Sequence, residues 1–261
     1  MAHERLSVHN VTFYGAPAAA FLSHWQRLGV RRLSVLDSDL HDPTLAAAFG
    51  DYTIEAVYHL FAAGDLTSDA DAAQQALIAV IDAAAAARAR LVYLLTGGRG
   101  TLTWEQAAAR FAAMIAPCVA HAARAGVTLA IENASALYAD LHIAHTLRDT
   151  VTLAERAGVG ICVDVFHCWA EADFPGLLRA VLPQVQLIQL SDYVLGDRAL
   201  PARAVPGDGV IPLAGFVKDV LAQGYQHGFD LELLGPRITD EGALTAAHRA
   251  CTVVGDMIGS R

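Results

Sequence analysis

Four apolar runs in the second half of the chain each end in a side chain with an oxygen donor: residues 127–132, 159–164, 185–189 and 229–232. The terminal residues are Glu132, Asp164, Gln189 and Glu232. Three carboxylates drawn to one point repel one another and take up protons unless a cation sits among them. Glu132, Asp164, Gln189 and Glu232 are therefore read as a metal-ligand set. All-oxygen ligands suit a hard divalent ion, Mn or Mg, with Co as the alternative. Taken singly, each acid has an ordinary explanation as a helix cap or an arginine partner; four in register do not.

Further polar residues cluster near these positions. His167 follows Asp164 by three residues and is placed to donate to, or polarise, a substrate oxygen. Asp192 follows Gln189 by three and is placed to orient ligands from behind. Arg203 precedes Val205-Pro206-Gly207-Asp208-Gly209, a turn that would hold its guanidinium over hydroxyl or carboxylate groups. His9, Asn10, Tyr58 and His59 fall near the ends of earlier apolar runs, and His59 is taken as a substrate contact. Trp104 and Trp169 are assigned to an apolar wall against the substrate.

For residues so far apart to meet, the elements between them must return each run to the same place. A strand buried on both faces reads as a continuous apolar run, which is the signature of a parallel sheet. Such strands are expected at 6–13, 32–36, 53–61, 91–95, 127–132, 159–164, 185–189 and 229–232. Helices are expected at 18–28, 43–49, 69–87, 104–124, 142–157, 174–181, 213–223 and 239–257. Gly29 is read as a helix stop, Thr103 and Gln106 as a capping box, and 192–212 as a long polar loop. Eight strands alternating with helices define α/β architecture, a single (β/α)8 TIM barrel over 1–261, whose C-terminal strand ends converge on one mouth. The Gly97-Gly98-Arg99-Gly100 segment lacks the GxGxxG spacing of a dinucleotide fold.

Composition narrows the classes of partner. The chain has 261 residues, 54% of them hydrophobic, enough for one large α/β domain. Its formal net charge is −9 and its one lysine is Lys218, which argues against a nucleic-acid partner. No apolar run has the roughly 20 residues of a membrane span, and the first residues lack the pattern of a signal peptide. Cys118, Cys162, Cys168 and Cys251 are too scattered for a zinc motif, so reduced thiols and a cytoplasmic location are expected.

The motifs Leu-Ala-Ile-Glu132-Asn133, Val-Asp164-Val-Phe-His167, Gln189-Leu-Ser-Asp192, Arg203-Ala-Val-Pro-Gly-Asp-Gly and Leu-Glu232 resemble the xylose isomerase-like TIM barrels, the superfamily of sugar-phosphate isomerases/epimerases and AP endonucleases. The resemblance covers roughly the C-terminal two-thirds. In the ketohexose epimerases of that group, the acids matching Glu132 and Glu232 bind the metal and form the acid/base pair. There the residue matching Asp164 is a metal ligand, and those matching His167 and Arg203 contact substrate. One position departs: the third ligand is usually histidine in a His-x-x-Asp motif, and here it is Gln189. Glutamine there is similar to the branch that includes bacterial 3-dehydroshikimate dehydratases.

The resemblance implies a divalent-metal isomerase or epimerase of a small polyhydroxylated carbonyl compound. Its catalytic residues would be Glu132, Glu232 and His167, with Arg203, His59, Trp104 and Trp169 around the substrate. Proton abstraction α to the carbonyl would give an enediolate that the metal stabilises. A lyase that expels a β-hydroxyl is the alternative. A non-catalytic small-molecule-binding barrel is the alternative from another class. The partner would be a small molecule, with neither nucleic acid nor membrane, and a homodimer is expected by analogy.

Overall fold

A computed structural model describes residues 2–259; Met1, Ser260 and Arg261 of the expected 1–261 domain lie outside the described residues. The chain opens with β1 (Leu6–His9), α1 (Ala18–Leu28), β2 (Arg32–Leu36), α2 (Pro43–Ala48), β3 (Thr53–Leu60), α3 (Ala70–Ala86), β4 (Leu91–Leu95) and α4 (Trp104–Ala125). It continues with β5 (Thr128–Glu132), α5 (Leu147–Ala157), β6 (Gly160–Asp164), the one-turn α6 (Val165–Cys168), α7 (Phe174–Val181) and β7 (Val185–Leu190). Then come β8 (Asp192–Tyr193), β9 (Arg203–Ala204), α8 (Leu213–Ala222), β10 (Phe229–Leu231), α9 (Pro236–Glu241) and α10 (Ala243–Gly259). The larger sheet is a closed barrel with strand order β1-β10-β7-β6-β5-β4-β3-β2, the expected TIM barrel; β8 and β9 form a separate antiparallel pair.

The chain forms two compact units, one of residues up to Glu55 together with Leu187 onward, the other Ala56–Gln186. In the Ala56–Gln186 unit the strands are parallel, with Tyr58 opposite Tyr93, Leu94 opposite Ile131 and Glu132 opposite Cys162. Asp164 therefore lies one pleat beyond the level of Glu132. Every residue of β4 is buried, the reason its sequence is an unbroken Leu-Val-Tyr-Leu-Leu run. Helix α4 buries Phe111, Ile115 and Cys118 along one stripe, and Phe111 meets Phe61 edge-on at 5.3 Å. Full burial of a side chain such as Phe111 is worth about 1.5–3 kcal/mol. In the other unit, Asp230 of β10 lies opposite Ser7 of β1 on one side and Gln189 of β7 on the other.

Most expected elements stand within a residue or two. Gly29 caps α1 in the left-handed region, and Thr103 with Gln106 forms the capping box of α4. Four expectations are corrected. Strand β1 stops at His9 rather than 13, because the His9 ring accepts the Val11 N–H and starts a 3-10 turn over Asn10–Phe13. The helix expected from 142 begins at Leu147, capped by Thr146, because 142–145 is drawn back onto the end of β5. A one-turn helix that sequence did not anticipate, α6, carries His167, and Asp164 itself caps it by accepting the Phe166 N–H at 3.0 Å. The loop 192–212 contains β8 and β9. The helix expected over 239–257 is two, α9 and α10, divided at Gly242, whose φ of 90° no helix contains.

Among the described residues, no helix is long and apolar enough to cross a membrane. Cys118, Cys162, Cys168 and Cys251 are all buried and none is in a disulfide.

Candidate metal centre and proton-transfer residues

In the Ala56–Gln186 unit, Glu132, Asp164 and His167 each offer a ligand atom, and these atoms lie within 4.8 Å of one another. Asp164 is fully buried and Glu132 is 5% exposed. His167 Nε2 stands 3.5 Å from Asp164 Oδ2. Two buried carboxylates beside an imidazole form a donor set that suits a divalent cation, since a cation between them removes the repulsion that burial would otherwise magnify. The residues present therefore fit the expected ion.

The chain holds this cluster through neutral groups. Asn133, fully buried, donates from Nδ2 to the Asp164 carbonyl at 2.8 Å and accepts the Asp164 N–H at 2.9 Å. Its side chain thus ties the end of β5 to the end of β6 in both directions. His142 Nδ1 accepts the Thr96 N–H at 3.0 Å, so its proton sits on Nε2, which donates to the Glu132 carbonyl at 2.8 Å. Burial lowers the His142 pKa to about 3, with His145 and His167 adding to that and the bond to Glu132 opposing it. The ring is neutral and acts as a fixed clamp between the ends of β4 and β5. Tyr138 and Phe166 each meet the His167 ring edge-on, at 6.1 and 5.1 Å.

In the other unit, Gln189 Nε2 donates to Glu232 Oε2 at 2.5 Å, and Arg203 donates to Glu232 Oε1 at 2.8 Å. Arg203, 3% exposed, also donates to Ser191 Oγ at 3.0 Å. A guanidinium buried this far needs such partners on its fork. Its position on β9 is set by Asp192. One carboxylate oxygen of Asp192 accepts the N–H groups of Tyr193 and Ile211 at 2.8 and 3.0 Å; the other accepts those of Gly207 and Gly209, both at 2.9 Å. Asp192 is therefore the knot that folds the Pro206–Gly209 turn. Gly209 must be glycine there, because a Cβ would collide with the Tyr193 carbonyl and the Asp192 carboxylate. His9 is buried, and burial with the nearby Arg203 charge lowers its pKa to about 3.

The expected residues thus gather in two groups, Glu132 with Asp164 and His167, and Gln189 with Glu232 and Arg203. His59 is buried on β3 near its C-terminal end. Trp169 caps α6, its N–H donated to Val165. Trp104 is engaged with the loop before α5: its indole N–H donates to the Ile143 carbonyl at 2.8 Å, and Arg156 lies over its ring at 5.3 Å. Sequence reasoning did not single out Asn133, His142 or Tyr138 as supports. Asn133 was signalled by its adjacency to Glu132; nothing in the spacing pointed to His142.

A parallel (β/α)8 barrel with acids at the ends of its strands defines the class as an α/β-barrel protein. The model of the xylose isomerase-like TIM barrel family matches residues 10–251, and the chain belongs to that family. Among solved structures, the chain is similar to the IOLI protein with a bound zinc atom at 15% identity and a TM-score of 0.82, over 98% of each chain. It is similar to D-psicose 3-epimerase from Clostridium cellulolyticum H10 at 15% identity and 0.77, over 97% of this chain and 99% of that one. It is also similar to the probable 3-DHS dehydratase AsbF from Bacillus anthracis at 13% and 0.76, over 97% and 98%. No curated protein sequence matches the chain.

Proposed function

We propose that the protein is an isomerase or epimerase of a small polyhydroxylated carbonyl compound that moves a proton α to the carbonyl. The observation that carries this reading is the buried Glu132–Asp164–His167 cluster at the ends of β5 and β6. We assign Glu132 and Asp164, with Gln189 and Glu232, to one divalent ion, Mn or Mg with Co as the alternative. The zinc atom of the IOLI structure and the sugar named with D-psicose 3-epimerase support this assignment. When bound, the ion supplies Lewis acidity that holds negative charge developing on substrate oxygen.

The remaining chemistry belongs to side chains. Glu132 and Glu232 form the acid/base pair, one removing the proton from carbon and the other returning it. His167, steadied by Asp164 and flanked by Tyr138 and Phe166, donates to a substrate oxygen. Arg203 holds Glu232 and offers its guanidinium to hydroxyls; His59 and Trp169 line the substrate, with Trp104 further back. The substrate is a small molecule, and the reading carries a cytoplasmic homodimer with neither nucleic acid nor membrane as partner. The test is solvent-deuterium exchange at the carbon next to the carbonyl, across a panel of ketoses. Wild type exchanges, and Glu132→Gln and Glu232→Gln do not; retained exchange in both variants removes the assignment.

Gln189 supports a second reading, elimination of a β-hydroxyl. It stands where the epimerases have histidine, and the likeness to a probable 3-DHS dehydratase points the same way. Appearance of an unsaturated carbonyl absorbance with 3-dehydroshikimate decides for elimination; exchange without absorbance decides for epimerisation.

A further inference from the structure

Beside Gln189, across the pairing of β7 with β10, lies a buried acid that the proposed chemistry does not use. Asp230 is fully buried, in register with Gln189 on β7 and with Ser7 on β1. Its Oδ1 accepts the Ser7 hydroxyl at 2.6 Å. Its Oδ2 is buried and makes no hydrogen bond, although the Ser34 hydroxyl and the Gln189 amide are near enough to act on its charge. The Ser34 hydroxyl is directed at Ser7 Oγ, 3.5 Å away. An acceptor left in this state inside a protein is costly and calls for an explanation.

The explanation lies in the amide. A carboxamide binds a hard cation only through its oxygen, and its two ends are nearly equal in shape, so something must decide which end faces the ion. In this structure Gln189 Nε2 spends one hydrogen on Glu232 Oε2. Nε2 has a second hydrogen, and Glu232 must surrender an oxygen when it turns to a cation. Asp230 Oδ2 is an acceptor for N–H and repels an amide oxygen.

We infer that Asp230 is a positioning residue that takes an N–H of Gln189 and thereby turns the carbonyl oxygen of Gln189 toward the divalent ion. This inference rests on the reading of Gln189 as a ligand. It accounts for a glutamine where a histidine would need no such lock, since the acid on the adjacent strand supplies the orientation that the side chain lacks.

The experiment is Mn2+ binding, followed by the electron paramagnetic resonance of the free ion, with folding checked by circular dichroism. Gln189→Ala weakens binding if Gln189 is a ligand; unchanged binding removes the ligand reading itself. Asp230→Asn, which can offer N–H where an acceptor is needed, is expected to weaken binding by about 10–100-fold, as loss of a ligand's support does. The decisive comparison is Asp230→Asn in the Gln189→Glu background. A carboxylate has two equal ends and needs no orienting, so there the loss shrinks to within about twofold. An equal loss in both backgrounds means that Asp230 acts through its charge alone and overturns the inference, with the ligand reading intact. Should Asp230→Asn not fold, Ser7→Ala, which releases Oδ1, takes its place. It is expected to lower affinity severalfold in the native background and not in Gln189→Glu; no loss in either overturns the inference.

Discussion

The two groups of acidic residues are built on opposite principles. In the Ala56–Gln186 unit, the Asp164 carboxylate is met by the Phe166 backbone N–H and the His167 imidazole, while Asn133 holds the Asp164 backbone. In the other unit, the Glu232 carboxylate is met by a guanidinium and an amide, and the guanidinium is itself buried. Glu232 has its countercharge within its own unit. The contrast is between a carboxylate set among a backbone N–H and an imidazole and one gripped by a buried guanidinium. A buried ion pair is held tightly by its geometry but contributes little net stability, whereas breaking it is costly.

This contrast can be broken in several ways. The largest effect belongs to the first group: Glu132→Gln is expected to lower kcat by about 10²–10⁴-fold with the fold intact, as loss of a general base does, checked by turnover and by circular dichroism. Next is the second group: Arg203→Ala leaves Glu232 without its buried partner and is expected to cost on the order of 3 kcal/mol in urea unfolding. If Arg203→Ala were as stable as wild type, the distinction between the two groups would fail. Addition of Mn2+ should raise Tm in wild type and not in Asp164→Asn, since an ion stabilises only the state that binds it.

A smaller effect concerns the turn that carries Arg203. Gly209→Ala forces a methyl group against the Tyr193 carbonyl and the Asp192 carboxylate. About 1–3 kcal/mol is expected, with KM rising more than kcat falls, because Asp192 loses N–H donors that set the position of Arg203.

The smallest is a pH slope, measured on chelator-treated protein. His9 and His142, one in each unit, have folded pKa values of about 3 against an ordinary 6.5. Each contributes stability that is present above pH 6.5 and lost as pH falls toward 3, at up to about 1.4 kcal/mol per pH unit. Burial raises Asp230 to about 6 from 3.8, so its contribution has the opposite sign: it is present below 3.8 and lost as pH rises through 6. Between pH 6 and 4 Asp230 offsets one histidine. These three groups leave a net slope of about one proton, which falls to about zero in His142→Gln and rises to about two in Asp230→Asn.

Much of the fold was legible because the barrel strands obey a local rule. A strand covered on both faces must be apolar throughout, so β4, β5 and β6 could be bounded from sequence to within a residue. Capping residues did the same for α1 and α4. Misreadings cluster where a side chain acts on backbone distant from it. His142 looked like a helix start because its neighbours have helical spacing; its ring instead bonds Thr96 and Glu132, and the helix begins five residues later. Spacing placed Asp192 behind the ligands but could not give its means, which is four backbone N–H groups of the turn accepted by its carboxylate.

The sequence by itself determined the alternation of strand and helix, and which strand ends carry an oxygen donor. Both follow from hydrophobic periodicity and residue type, which are properties of short stretches. Tertiary packing alone put Glu132, Asp164 and His167 in one cluster, set Arg203 against Glu232, and brought Asp230 beside Gln189. Those facts depend on register and on the direction of side chains between strands far apart in the chain. Register is set by the packing of the whole barrel, and no single segment contains it.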